Sequence, residues 1–318
     1  MHTCKVNTTK RFSINQNTYN QIYDDLKKHG FLDVQKESDA LFHLKREKYI
    51  TINEFELPLK KTISQLYTIP IVIEQKQYQF LLDTGAQISA IRKPLLNKIK
   101  VIKANQAIDI GSIGGSKTSL ETYFIPQMQL GGISFINSPV VLLDEEKFAL
   151  KLGMIDFMNF DGIIGWDILS QLDFEIDDIE HKFIVLNNHY RFKEKNMILG
   201  GFPLFLCKDK SGKILKMGFD SGAQVSWLGI HYMNTYPKKQ IRKANALGFG
   251  VNGKESIAIS LLDHLELTLD KANIQIDECM SGIVDFFQGF QLDGVLGNEI
   301  FKKRRIRILN SVERVIFL

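Results

Sequence analysis

Two short runs, one in each half of the chain, constrain the fold more than anything else in the sequence: Asp83-Thr84-Gly85-Ala86 and Asp220-Ser221-Gly222-Ala223. Each follows an apolar run, Phe80-Leu81-Leu82 and Met217-Gly218-Phe219. A single Asp-Thr-Gly is an ordinary turn sequence, but here the likeness continues. Ala86-Gln87-Ile88-Ser89 is matched by Ala223-Gln224-Val225-Ser226, so a serine stands six residues beyond each Asp. Farther on, Asp161-Gly162-Ile163-Ile164-Gly165 is echoed by Asp293-Gly294-Val295-Leu296-Gly297. The spans from first landmark to second differ by five residues, a difference that loops absorb. Two landmarks in the same order in both halves mark a duplicated unit.

Local patterns agree with the duplication. Tyr67 to Glu74 and Gln77 to Leu82 read as two strands around a polar turn. Phe202 to Cys207 and Ile214 to Asp220 read likewise around Asp209-Lys210-Ser211-Gly212. Each Asp therefore ends the second strand of a hairpin, and Gly85 and Gly222 let the chain turn after it. The apolar pairs before Gly165 and Gly297 read as buried strands, and these glycines leave room for a closely approaching backbone. Trp166 to Gln171 and Asn298 to Lys303 are short helix candidates. Gln127 to Leu143 reads as a hairpin through Gly131-Gly132, repeated near His264 to Ile276.

These residues resemble the aspartic proteases, whose pattern is Asp-Thr/Ser-Gly, then two hydrophobic residues and Gly, then a short helix. Ala86 and Ala223 make the chain more similar to the retropepsin-like branch; pepsin-like enzymes usually carry Ser or Thr there. Ile110-Gly111-Ser112-Ile113-Gly114-Gly115 resembles the Gly-rich flap of retroviral-type proteases, and Leu247-Gly248-Phe249-Gly250-Val251 holds the same place in the second half. Retroviral enzymes pair two identical subunits, whereas this chain carries both copies, as pepsin does. The resemblance covers roughly residues 62–318. It departs from the retroviral pattern at Trp166-Asp167 and Asn298-Glu299, which replace the usual Arg-Asp or Arg-Asn.

The resemblance implies an all-β fold with short helices: two pseudo-twofold-related β-barrel lobes, residues 62–190 and 198–318, behind an N-terminal α/β extension of residues 1–61. It implies an aspartic endopeptidase with Asp83 and Asp220 as the catalytic pair, hydrolysing peptide bonds through an activated water. Close carboxylates share one proton and titrate as a unit. Thr84 and Ser221 would hydrogen-bond across the lobe interface, beside Gly85 and Gly222. Ile113, Gly114 and Gly115 would form a flap over an extended peptide, and Gly165 and Gly297 would be structural. Ala86 and Ala223 offer no hydroxyl to the carboxylates, so activity is expected to extend to weakly acidic or near-neutral pH. The alternative is a catalytically silent peptide-binding or interaction module on the same fold.

Composition narrows the remaining classes. With 44% hydrophobic residues in 318, the chain can bury a sizeable core, and a net charge of +4 implies no strong nucleic-acid field. The run Lys302-Lys303-Arg304-Arg305-Ile306-Arg307 reads as a solvated helix end entering a strand, with a nucleic-acid or localisation patch as the alternative. No apolar segment is long enough for a membrane span. Three widely spaced cysteines, Cys4, Cys207 and Cys279, fit a reducing compartment and incidental thiols. Met1 to Asn7 lacks a signal-peptide pattern. The expectation is a cytoplasmic monomer acting on peptide or protein substrates, with no nucleic-acid or membrane partner. No metal-ligand spacing, phosphate loop or dinucleotide fingerprint occurs, so no metal or other cofactor is assigned.

Residues 1–61 have no counterpart in the second half. Ser13 or Asn15 caps a predicted helix through Lys28, stopped at Gly30, with Tyr19, Ile22, Tyr23 and Leu26 on one face. Leu41 to Ile52 reads as one or two strands. Two roles fit: an inhibitory prosegment, with Lys45, Lys48, Lys60 or Lys61 near the dyad, or a structural extension packed on the lobes.

Overall fold

The computed structural model describes residues 2–32, 53–111, 117–143, 151–152, 155–156, 159–187, 189–250, 253–282 and 291–318. The predicted hairpins are present. Tyr67–Ile73 and Lys76–Leu82 pair antiparallel through Glu74 and Gln75, both at positive φ, which is the turn geometry that matches strand twist. In the second half Pro203–Asp209 pairs with Ile214–Phe219. Its turn is closed by Asp209 Oδ1, which accepts from Ser211 N (2.8 Å) and Lys213 N (2.9 Å), with Gly212 at φ 90°.

The two halves close into barrels with the same strand order. In the N-lobe, Tyr67–Ile73 is followed around the ring by Lys76–Leu82, Gly162–Ile164, Ala90–Arg92, Ile133–Leu143 and Lys117–Leu130; a Val72–Gln129 pairing returns to the start. In the C-lobe the ring runs Pro203–Asp209, Ile214–Phe219, Gly294–Leu296, Trp227–Gly229, Ala272–Gly282 and Gly253–Leu269. Irregularities match too. Asn137 (φ 51°) and Glu278 (φ 56°) interrupt the pairing at equivalent points of the Ile133–Leu143 and Ala272–Gly282 strands. Long hairpin strands, Ile102–Gly111 with Lys117–Leu130 and Ile241–Gly250 with Gly253–Leu269, flank the predicted flap positions. Ile113, Gly114 and Gly115 lie outside the described residues.

A third sheet joins the lobes. Hairpin Asp173–Asp177/Lys182–Leu186 follows the first Gly landmark, and hairpin Arg305–Leu309/Arg314–Phe317 follows the second; they pair antiparallel through Asp173–Asp177 and Arg305–Leu309. Phe55–Pro58 adds an edge. Phe174, Ile176, Phe183, Ile306 and Ile308 face a core that continues into both lobes. The other face buries Glu175 completely, paired with Arg305 (2.7 Å) and Arg307 (2.6 Å). Two members of the basic run thus hold the lobes together from within a strand.

The N-terminal segment is built onto the C-lobe. Thr3–Thr8 pairs with Ala272 to Asp277. Asn15 caps the helix Gln16–Lys28, its Oδ1 accepting from Thr18 N at 2.9 Å. That helix packs Tyr19 and Leu26 against Ile198, Leu204, Leu206, Leu292 and Val295. Lys61 ion-pairs with Asp178 at 2.5 Å, so it is engaged there. Lys45, Lys48 and the predicted strands over 41–52 lie outside the described residues. Among the described residues, no helix is long and apolar enough to cross a membrane, and no cluster of His, Cys, Asp or Glu is placed to hold a metal ion. Cys207 and Cys279 are buried and Cys4 partly so; all three are free thiols, and burial pushes the Cys4 thiol up to about 12.

Removing residues 2–32 is expected to unfold the C-lobe. Val6, Ile14, Tyr19, Leu26 and Phe31 are buried, and such side chains contribute about 1.5–3 kcal/mol each. Their sum approaches the whole stability of a typical domain, about 5–15 kcal/mol. Circular-dichroism melting of the truncated chain checks this; a cooperative melt at the full-length temperature would refute it.

Candidate active site

Each Asp is delivered by the same local construction. Lys76–Leu82 and Ile214–Phe219 pair in parallel with the Gly-landmark strands Gly162–Ile164 and Gly294–Leu296. The pairing continues one residue further: Asp83 N donates to Ile164 O (3.1 Å) and Asp220 N to Leu296 O (2.9 Å). The landmark glycines then pass against the loop after each Asp. A Cβ on Gly165 would lie 2.7 Å from Ala86 O, and one on Gly297 would lie 2.7 Å from Val225 C. Any side chain there would push the Asp-bearing loop aside. Trp166 N donates to Ala86 O (2.7 Å) and Asn298 N to Ala223 O (2.8 Å) from the same approach.

The matched serines support these loops. Ser89 Oγ accepts from Gly165 N (3.0 Å) and donates to Asp167 Oδ1 (2.9 Å). Ser226 Oγ accepts from Gly297 N (3.0 Å), while Ser226 N donates to Glu299 Oε1 (2.7 Å). All four side chains are buried. Asp167 and Glu299 follow the landmark Gly at the same offset, which was the sequence signal for the pairing. The other oxygen of Glu299 bonds His2 of the N-terminal strand, and that bond holds the imidazole above its usual range.

Thr84 and Ser221 are interlocked across the lobes. Thr84 N donates to Ser221 Oγ (3.0 Å), and Ser221 N donates to Thr84 Oγ1 (3.0 Å). Each hydroxyl then donates to a strand of the opposite lobe: Thr84 Oγ1 to Phe219 O (2.9 Å) and Ser221 Oγ to Leu82 O (2.7 Å). Both residues are completely buried. Ser221→Ala leaves Thr84 N and Leu82 O without these partners. It is expected to lower stability by about 2–6 kcal/mol, at roughly 1–3 per orphaned group. Urea unfolding measures this, and a shift below about 0.5 kcal/mol would sink it.

The positions where Arg stands in the retroviral pattern also cross between lobes. Trp166 Nε1 donates to Gly200 O (3.1 Å), and Asn298 Nδ2 donates to Gln65 O (3.0 Å). An indole and an amide thus make equivalent contacts. Gln224 Nε2 adds a bond to Ser64 O at 2.6 Å.

These constraints bring Asp83 and Asp220 together. Each carboxyl reaches the other's loop, close enough for each to shift the other's proton affinity. Asp83 Oδ1 accepts from Gly85 N (2.9 Å) and Ala86 N (3.0 Å); Asp220 Oδ1 accepts from Gly222 N (2.8 Å) and Ala223 N (3.1 Å). Gly85 and Gly222 are required by the contact itself. A Cβ on Gly85 would lie 2.5 Å from Asp220 Cγ, and one on Gly222 would lie 2.6 Å from Asp83 Cγ. The side chains are half-buried, and the enclosing protein desolvates both carboxyls. Desolvation raises the pKa of each. Asp220 is raised further, well above the usual carboxylate range, because it also feels the charge of Asp83. The backbone N–H of Ala86 works in the opposite direction on Asp83. Such a pair holds one proton over a wide pH range, which equips one oxygen to accept a proton while the other donates one.

A bilobal β protein presenting one Asp from each lobe at their junction has the architecture of the aspartic proteinases. Residues 69–168 match the family described as aspartyl protease. Among solved structures, the chain is similar to the aspartic proteinase from Irpex lacteus, with 10% sequence identity and a TM-score of 0.51; the match covers 83% of this chain and 96% of that one. No curated protein sequence matches the chain significantly. The family match spans residues 69–168, and the structural likeness shows the bilobal aspartic proteinase fold. The family match supports peptidase activity in general terms.

Proposed function

We propose that the protein is an aspartic endopeptidase in which Asp83 and Asp220 activate a water molecule. The observation that carries this reading is the close approach of two desolvated carboxyls, each lying against the glycine of the other's loop, supplied by opposite lobes and fixed by the Thr84–Ser221 interlock. The ionised member of the pair takes a proton from water, and the protonated member donates to the scissile carbonyl oxygen. The resulting tetrahedral diol collapses as a proton passes to the leaving nitrogen. The substrate binds extended, as an added strand, beneath a flap that includes Ile113, Gly114 and Gly115. Both halves of the site lie in one chain, so a monomer suffices. Ala86 and Ala223 favour a retropepsin-like dyad that keeps its proton at milder pH.

Two measurements test this. Cleavage of an unfolded protein is followed from about pH 3 to about pH 8, a range that spans known dyad behaviour. Activity reaching weakly acidic or near-neutral pH is expected. Peptide binding without cleavage at any pH would favour the silent binding module. The double variant Ala86→Ser/Ala223→Ser introduces hydroxyls that donate to the ionised carboxylates and stabilise the charged form. The acidic limb of kcat/KM should then move down by roughly one pH unit; an unmoved or raised limb contradicts the role given to the alanines.

A further inference from the structure

The two Asp-bearing loops are supported by acidic side chains of different length. In the N-lobe Asp167 takes the Ser89 hydroxyl (2.9 Å). In the C-lobe Glu299, one methylene longer, takes Ser226 N through Oε1 (2.7 Å) and reaches His2 Nε2 with Oε2. Glu299 is 3% exposed, and a carboxylate so deeply buried is costly without a partner for its charge. His2 belongs to the N-terminal segment, which has no counterpart in the repeat. Thr3–Thr8 places it by pairing along Ala272–Gly282, the strand that also lies beside Trp227–Gly229, directly after the Asp220 loop.

The His2 ring is bonded at both nitrogens. Nε2 meets the Glu299 carboxylate, and Nδ1 lies 3.4 Å from Glu278 O. A carbonyl oxygen and an ionised carboxylate only accept, so the ring that satisfies both bonds is the imidazolium, which donates from each nitrogen. The bond to Glu299 holds the ring's proton against the opposing effects of burial and of the Lys302 charge. The other acids at this place are engaged elsewhere. Glu278 Oε1 accepts from Arg242 Nη2 (2.7 Å), and Asp277 bonds Thr3 Oγ1 (2.6 Å) and His264 Nδ1 (2.7 Å). Burial keeps the Cys4 and Cys279 thiols protonated, and Arg304 is turned to Val6 O.

We infer that His2 is a positioning residue for Asp220: its imidazolium fixes Glu299, and through Glu299 the Ser226 end of the Asp220 loop. Loss of the His2 proton then loosens that loop and leaves the Asp83 loop as it was, so the N-terminal segment makes one half of the dyad sensitive to pH. The bridge is complete while His2 is charged and is lost as pH rises through its folded-state value, which stands above the ordinary 6.5. The catalytic consequence rests on the reading of Asp83 and Asp220 as a peptide-cleaving pair.

The test compares the full chain with His2→Gln, His2→Lys and His264→Gln by two readouts. Amide hydrogen exchange, expressed as protection relative to intrinsic rates, is followed from about pH 5 to about pH 9, a range that brackets a raised histidine titration. Steady-state cleavage of a peptide is measured at about pH 5, where His2 is charged. In wild type, protection over residues 220–226 should fall about tenfold or more as His2 loses its proton, while residues 83–89 stay constant. His2→Gln should show the low value at every pH and lower kcat by about tenfold with KM little changed, a fraction of the loss from a full ångström of misplacement. His2→Lys keeps its charge and should keep the acid-pH protection across the range. His264→Gln removes an imidazole from the neighbouring Asp277 and should match wild type. Unchanged protection in His2→Gln, equal loss in both loops, uniform loss over the whole C-lobe, or His2→Lys behaving as His2→Gln overturns the inference. If wild type cleaves nothing, the proposed activity falls, and the protection of residues 220–226 alone decides the role of His2.

Discussion

Asp83→Asn and Asp220→Asn are each expected to cut peptide cleavage by about 10⁴-fold, the upper range for losing a general acid–base group, while making the folded protein more stable at neutral pH. The stability gain follows from the direction of the pKa shifts. Both carboxyls are raised in the folded state, chiefly by desolvation. The folded protein therefore binds the dyad protons more tightly than the unfolded chain does. That contribution is complete below the unfolded carboxyl pKa of about 3.9, and it is lost as pH rises through the folded values. At neutral pH the ionised dyad is a cost that a neutral amide does not carry. A gain of about 0.5–2 kcal/mol is expected for each variant, in the range common when a strained functional group is relieved. Thermal melts across pH check the sign: the gap between variant and wild type should open as pH rises. A variant less stable than wild type at neutral pH would mean that the carboxyls contribute net stability to the fold.

Gly85→Ala is the second large effect, and it acts without touching either carboxylate chemically. Its Cβ would lie 2.5 Å from Asp220 Cγ and 2.7 Å from both carboxylate oxygens. Asp220 is held by its own loop amides and Thr84–Ser221 ties that loop across the interface, so relief requires the lobes to move apart at the dyad. A stability loss of about 1–3 kcal/mol is expected, as for other overpacked sites. Cleavage should fall about 100-fold or more, because displacement by an ångström misplaces the acid–base pair. Gly132→Ala is the control. The nearest atom to its added Cβ is 3.8 Å away, so stability and rate should stay within about 0.5 kcal/mol of wild type. Comparable loss in both variants would mean that glycine is wanted at position 85 for chain flexibility and not for the approach of Asp220.

Much of the site was legible because close backbone approach restricts residue type. Gly85, Gly222, Gly165 and Gly297 mark places where a Cβ would collide, and such a requirement survives duplication unchanged. The hairpins were legible because both Asp strands are apolar and end at a polar turn. What sequence missed was contact between elements far apart in the chain. Amphipathic spacing showed that the helix Gln16–Lys28 packs on something, but not that its partner is the C-lobe surface of Leu204 and Leu206. The cross-lobe role of Trp166 and Asn298 was hidden because an indole and an amide share only the ability to donate. Ser89 and Ser226 were visible as matched serines. Their partners Asp167 and Glu299 differ by a methylene, so only a shared offset from the landmark Gly marked them in the sequence. The run through Arg305 and Arg307 read as solvated charge because the buried Glu175 it neutralises lies in the other half of the chain.

The measurement that bears most directly on the central claim is mass spectrometry of an unfolded protein incubated in parallel with wild type, Asp83→Asn and Asp220→Asn. Shared action of two carboxyls predicts peptides from wild type and none above background from either variant. The same peptides released at the wild-type rate by either variant would contradict it.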